Sequence, residues 1–192
     1  MMRSIGNAFR MLLFLTLLTG ITYPLLVTGI ARLLFPFQSN GSILIRQGKP
    51  VGSLLIGQPA DSSGIYFGPR PSAGSYNPLP SGGSNYSLTN RRLREQFVQR
   101  QQQFREYNLQ DRITEVPSEM LFASASGLDP HISPEAALLQ VDRVSRARKF
   151  PEAQKAQLQD LVYRLTKPPQ FLFLGQERIN VLLLNLETDK IR

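Results

Sequence analysis

With no cysteine among its 192 residues, the chain excludes disulfides, thiolate-bound zinc, iron–sulfur clusters and thiol nucleophiles. Its 22 Lys and Arg outweigh 14 Asp and Glu for a formal charge of +8. Long basic runs and basic–aromatic interleaving are absent, so the charge reads as a solvated basic surface and no nucleic-acid partner is expected.

From Met11 to Ala31 no charged residue interrupts the sequence, and Arg10 and Arg32 bracket the segment. The run matches the roughly 20 residues that cross a ~30 Å hydrocarbon core, and it predicts one transmembrane helix followed by one soluble domain. A cleaved signal peptide is the other reading, because Arg3 and Arg10 resemble its basic start. The apolar run is too long for that, and no A-x-A-like site follows it. Arg3 and Arg10 favour a cytoplasmic N-terminus, whereas Arg32, Arg46 and Lys49 dilute the bias, so charge alone leaves sidedness open. Thr16, Gly20, Pro24 and Thr28 recur every four residues. Such a stripe suits close packing against a partner helix, although these residues are also common in any membrane helix. Pro24 removes a backbone donor and predicts a kink in the helix.

Next, Ser42–Arg46 and Val51–Ile56 read as the strands of a hairpin turning at residues 47–50. Residues 57–87 are rich in Gly, Pro, Ser, Asn and Tyr, a loop of unusual length that signals either a functional surface or hidden short strands. Helical character starts near Thr89, with Leu93, Phe97, Phe104 and Tyr107 on one face. Ser133-Pro134-Glu135 is a helix start, with a Ser cap, Pro at the first position and an acid in the first turn. That helix is expected to reach Lys149, and a second to span Glu152–Thr166 and stop before Pro168-Pro169. Phe171–Leu174 and Arg178–Leu186 read as closing strands. The order of strands, loop, helices and strands predicts an α+β domain.

The inventory for chemistry is thin. His131 is the single histidine, and a Ser126–Asp129–His131 hydrolase reading crowds all three residues into one turn. Triad members ordinarily come from separate elements. Asp129-Pro130 reads better as a turn ahead of the helix. One histidine and scattered carboxylates do not make a metal site, and neither a G-x-S-x-G nor a Walker A motif occurs. Ser81-Gly82-Gly83-Ser84-Asn85 has two readings: an anion or nucleotide cradle of backbone N–H groups, with ATP as the candidate ligand, or a tight turn leading to the helix. It loosely resembles the S-G-G signature loop of ABC-type ATPases, without the Walker motifs that such a loop serves. Tyr66-Phe67 and Arg70-Pro71-Ser72 read either as an exposed interface or as a buried loop anchored by an arginine.

Six segments then occur in a fixed order behind the apolar span. They are Gly52-Ser53-x-Leu55-Ile56-Gly57-Gln58, Tyr66-Phe67-x-x-Arg70-Pro71-Ser72-Ala73, Ser81–Asn85, Ser126–Pro134, Gln140-x-x-Arg143-Val144 and Val181-x-x-Leu184-Asn185. Each is weak alone. Together they closely resemble, over essentially the whole chain, the C-subunit family (KdpC) of the bacterial potassium-importing Kdp ATPase. There are departures: Phe122-Ala123-Ser124-Ala125-Ser126-Gly127 stands where the family usually has Thr-Ala-Ser-Gly-Ser-Gly, Gly68-Pro69 is unusual in its segment, and Gln99–Gln103 is glutamine-rich.

The resemblance implies an accessory, non-catalytic subunit of a four-part inner-membrane complex. Its partners would be a channel-like potassium-translocating subunit, a P-type ATPase subunit and a very small membrane peptide, with lipid around the anchor. It also implies residues 1–10 in the cytoplasm, 11–34 in the membrane and 35–192 as an extracytoplasmic α+β domain. On this reading the partner interface would draw on Thr16, Gly20, Pro24 and Thr28 of the anchor and on Tyr66, Phe67, Arg70, Asp129 and His131 of the domain. The family's C subunit has also been described as a catalytic chaperone that raises the pump's ATP affinity through a transient ternary complex. Ser81–Asn85 would then be the nucleotide site.

Overall fold

A computed structural model describes residues 2–59, 62–109 and 115–191. The chain divides into two compact units, Met1–Pro50 and Val51–Arg192. In the first, α1 (Met2–Leu17) runs through a π-helical turn (Leu18–Thr22) into α2 (Tyr23–Leu34). Residues Arg3–Leu34 form one continuous helix, long and apolar enough to cross a membrane, with none of its apolar window buried within the chain. The π turn lies just ahead of Pro24, where a kink is expected. Proline's ring would meet the carbonyl one turn back, and the wider turn relieves the clash while Tyr23 N bonds to Leu18 O. Thr19 Oγ1 donates to Leu15 O at 2.7 Å, giving its hydroxyl a partner inside the helix.

A short helix, α3 (Pro36–Ser39), precedes a two-stranded ribbon of β1 (Ile43–Arg46) and β2 (Lys49–Ser53). The hairpin is tighter than the sequence suggests. Its turn is Gln47-Gly48, with φ of +50° and +74°, the left-handed pair that matches the twist of antiparallel strands. Lys49 and Pro50 therefore belong to the strand, and the strand ends at Ser53 rather than at Ile56.

In the second unit, α4 (Arg91–Phe104) is capped by Asn90, whose Oδ1 accepts from Arg92 N, and ends in a π turn (Arg105–Leu109). Phe104 of its expected apolar face is buried, whereas Tyr107 is 45% exposed. A 3₁₀ turn (Ser118–Met120) leads to β3 (His131–Ile132), α5 (Pro134–Arg148), α6 (Glu152–Leu165), β4 (Ile179–Asn180) and α7 (Val181–Thr188). Both central helices fall where their caps and periodicity place them. Ser133 Oγ accepts from Ala136 N, and Glu119 reaches back to Ser133 N at 2.7 Å. Lys149 closes α5 with φ +57°.

The core forms where α5 packs on α6 and α7 packs on α6, around Ala137, Val141, Val144, Leu158, Val162 and Leu184. β3 and β4 pair antiparallel, His131 opposite Asn180 and Ile132 opposite Ile179. The fold is thus mixed helix and sheet, with helices dominant. Two expected strands are corrected. Arg178–Leu186 contributes only two strand residues before turning helical, because Asn180 caps the next turn through Leu183 N and the buried positions Val181, Leu184 and Thr188 follow helical spacing. Phe171–Leu174 is an exposed turn closed by the Gln170–Leu174 bridge, not a core strand.

Candidate functional site

The long loop after the hairpin is held by side chains from two helices. On α5, Gln140 and Arg143 sit one turn apart on the buried face, and on α7 Asn185 follows the core residue Leu184. Gln140 Oε1 accepts from Gly68 N at 2.7 Å, and its Nε2 donates to Gly68 O at 3.2 Å. Asn185 does the same for Phe67, accepting from its N at 2.7 Å and donating to its O at 3.0 Å. Arg143 donates to Gly64 O, to Tyr66 O at 2.9 Å and to Asn108 Oδ1 at 2.8 Å, and lies over the Tyr107 ring. Arg148 donates to Ile65 O at 2.7 Å and pairs with Asp189 at 2.7 Å. A loop has no ladder to satisfy its backbone, and these amides and guanidiniums substitute for one. Burial pulls the Arg143 pKa below its ordinary value, and Tyr107 offsets part of that.

This clamp sets the exposure of the sequence-predicted residues. Phe67 is a core residue, 1% exposed, so its side chain offers no free surface, whereas Tyr66 is half-buried with Arg148 stacked on its ring. Arg70 is likewise partly buried, its side chain 26% exposed, and pairs with Asp129 at 2.9 Å. Asp129 Oδ1 also accepts from His131 N at 3.0 Å and lies 3.3 Å from His131 Nδ1. Burial pushes the Asp129 carboxyl upward, but hydrogen bonds from His131 and the Arg70 guanidinium outweigh it and hold the pKa below the ordinary range. Arg70, Asp129 and His131 therefore form one partly exposed polar cluster. Ser126 stands outside it: its Oγ accepts from Leu128 N, and no hydrogen bond among the described residues joins it to His131.

Tyr76 closes the loop below the cluster, its hydroxyl donating to Arg70 O at 2.7 Å and its pKa pushed by burial up to about 12. Ser81–Asn85 lies against the Ala125–Gly127 turn. A Cβ on Gly83 would stand 3.0 Å from Ala125 O, and one on Gly127, at φ +70°, would stand 2.6 Å from Gly82 O. Gly82 itself faces open space. The segment does not form the first turn of α4, since Asn90 caps that helix further along. A cleft of about 750 Å³ opens beside the loop, lined by Tyr66, Tyr107, Arg100, Gln103, Gln140 and Arg143. Within the anchor unit, Thr16, Gly20, Pro24 and Thr28 are all exposed.

The cluster could be anticipated from Asp129-Pro130-His131, but the clamp could not be assigned its role. Its signal was the pair Gln140-x-x-Arg143, two large polar side chains on a helix face that otherwise buries Ala136, Ala137, Val141, Val144 and the small Ser145. Buried polar residues in that setting require a backbone partner from elsewhere in the chain.

Comparison with known proteins agrees with this organisation. The sequence model of the family described as "KdpC: K+-transporting ATPase, c chain" matches residues 5–190. A potassium-transporting ATPase KdpC subunit from Photorhabdus laumondii is 48% identical over 184 residues, covering 94% of this chain and 93% of the relative. That of Leptospira interrogans is 46% identical over 185 residues, 96% of this chain and 93% of the relative. That of Erwinia tasmaniensis is 44% identical over 194 residues and spans 100% of both chains. A match of this extent, carrying both the apolar helix and the clamped loop, makes the chain a member of the KdpC family.

Proposed function

We propose that this chain is an accessory subunit of an ATP-driven potassium import complex, non-catalytic itself, which assembles and stabilises the channel-like and P-type ATPase subunits together with the small membrane peptide. The carrying observation is the match along residues 5–190 to a family of potassium-transporting ATPase subunits. Two features of the fold support the role. The Arg3–Leu34 helix has no buried face within the chain and needs lipid or partner helices around it, with Thr16, Gly20, Pro24 and Thr28 as the close-packing stripe. Arg70, Asp129 and His131 form a partly exposed polar cluster, and α5 and α7 hold the loop just ahead of Arg70 at Tyr66, Phe67 and Gly68, the kind of preorganisation a docking surface requires. Residues 11–34 anchor the chain in the inner membrane, residues 1–10 lie in the cytoplasm and residues 35–192 form the outer domain.

The test is purification of the tagged chain in mild detergent from its own membranes. Recovery of a channel-like subunit and a P-type ATPase in equal amount is the expected result. A pump prepared without this chain that stayed intact, with unchanged potassium affinity and ATP turnover, would sink the reading. The runner-up role, nucleotide binding at Ser81–Asn85, is favoured only by the open space on the side of Gly82 where a side chain would stand. An ATP titration distinguishes it, with Gly82→Asp as the informative variant. Gly83→Asp would collide with the Ala125 backbone whether or not nucleotide binds.

A further inference from the structure

Between α6 and β4 the chain turns back on itself in a hairpin whose tip is made only of apolar side chains. Phe171, Leu172, Phe173 and Leu174 are 79, 87, 77 and 48% exposed, while Ile179, shortly after them, is fully buried. The hairpin is pinned at two levels. Lys167 and Arg178 exchange backbone hydrogen bonds of 2.9 and 3.1 Å, and Gln170 and Leu174 exchange a pair at 2.8 Å. Phe171 and Leu172 adopt φ of +52° and +71°, a region that bulky L residues avoid. In water this arrangement strains the backbone and leaves four large side chains without packing. Strain of that kind is held where a display is needed.

We propose that the Phe171–Leu174 tip inserts into the interfacial layer of a bilayer containing anionic headgroups, as a membrane contact separate from the N-terminal helix. Three observations favour lipid as the occupant. First, three of the tip's four backbone N–H groups are bonded inside the hairpin, Leu172 N to Pro169 O and Phe173 N and Leu174 N to Gln170 O, which leaves its outermost carbonyls for the hydrated headgroup layer. Hydrocarbon demands such internal bonding of any backbone entering it, whereas a protein groove supplies partners. Second, cations collar the apolar tip. Lys167 and Arg178 form the base, against Glu177 as the one acid of the hairpin. Apolar residues ahead of basic ones match the order of acyl chain and phosphate across an anionic leaflet. Third, the chain carries a helix able to cross a membrane, and a covalent tether keeps lipid at high effective concentration, so four side chains suffice.

The chain contains no tryptophan, so Phe173→Trp gives a single tryptophan at the tip, excited selectively over tyrosine at the red edge, and Leu88→Trp, at a position 92% exposed, a reference. The full-length variants are reconstituted in vesicles of phosphatidylcholine and phosphatidylglycerol, with or without bromine on the acyl chains. The expected result is roughly twofold quenching of the Phe173→Trp emission by brominated lipid, a blue shift, and no change in the reference. Adding Leu172→Asp removes the quenching. Equal access of aqueous iodide to both reporters, with no bromolipid effect on either, overturns the proposal. So does a tip reporter shielded from iodide and bromolipid alike, which would mean contact with a second copy. Quenching that survives Leu172→Asp also overturns it, because the reporter itself would then be seeking lipid.

Discussion

Tyr76 ties the 66–76 loop together through a hydroxyl whose acidity reports its environment. Burial raises its pKa from 10.0 to about 12, with Arg100 pulling weakly the other way. The folded state therefore holds the proton more tightly than the unfolded chain. The resulting stabilisation is complete below pH 10 and is lost as pH climbs from 10 through about 12. In a chain with six tyrosines and no tryptophan, alkaline titration at the tyrosinate absorbance band should show one group ionising late, and Tyr76→Phe should remove that step. Asp129 runs with the opposite sign. Its carboxyl sits below the ordinary 3.8, so its contribution is present above that pH and disappears as pH falls through the depressed folded value. Asp129→Asn should flatten the acid limb of the stability curve, and an unaltered acid limb would refute the pairing with Arg70 and His131. Arg143 is the most consequential single residue. Arg143→Met leaves the Gly64 and Tyr66 carbonyls without their guanidinium. It should cost about 2–4 kcal/mol in urea unfolding of the detergent-solubilised chain. A loss within 0.5 kcal/mol, roughly the level of an ordinary surface substitution, would show the clamp to be dispensable.

At the scale of elements, what was legible depended on whether the signal was local. Ser133 as a cap, Pro134 at the first position and the Leu158–Leu161–Val162 stripe are local statements, and α5 and α6 sit where those residues put them. Ser133→Ala should lower stability by about 1 kcal/mol through loss of the Ala136 N–H partner, measurable in the same unfolding experiment. The run from Val181 to Leu186 reads as a strand in the sequence and is a helix in the fold, because a short apolar stretch fits both equally. The decision came from Asn180, which caps α7 with one side-chain atom and holds Leu54 O with another at 2.8 Å. That second bond is long-range and invisible in sequence. The 57–87 loop was illegible for the same reason: its order resides in Gln140, Arg143, Arg148 and Asn185, all distant in the chain. The polar cluster was half legible, since Asp129 and His131 are neighbours by spacing while Arg70 joins them only in the fold.

At the scale of the whole molecule, flanking charge does not by itself set which side of the membrane carries the large unit, because Arg3 and Arg10 on one flank are countered by Arg32, Arg46 and Lys49 on the other. The proposed role requires the domain outside, where it meets neither cytoplasmic nucleotide nor the ATP-consuming face of a pump. The absence of cysteine makes this directly measurable, since any introduced thiol is the only one in the chain. Ser4→Cys places it in the exposed N-terminal turn of α1, and Leu88→Cys places it at the 92% exposed position of the second unit. A membrane-impermeant maleimide applied to intact spheroplasts should label Leu88→Cys to completion and Ser4→Cys only after lysis. The reverse pattern would put the domain in the cytoplasm, remove the objection to nucleotide contact, and turn Ser81–Asn85 from the weaker reading into the stronger. Labelling at both positions before lysis would show mixed insertion, the outcome expected if the balanced flanking charges alone decided topology. A single orientation would instead mean that partner helices or the folded domain decide it, which is the behaviour of a subunit whose anchor is read in the context of its complex.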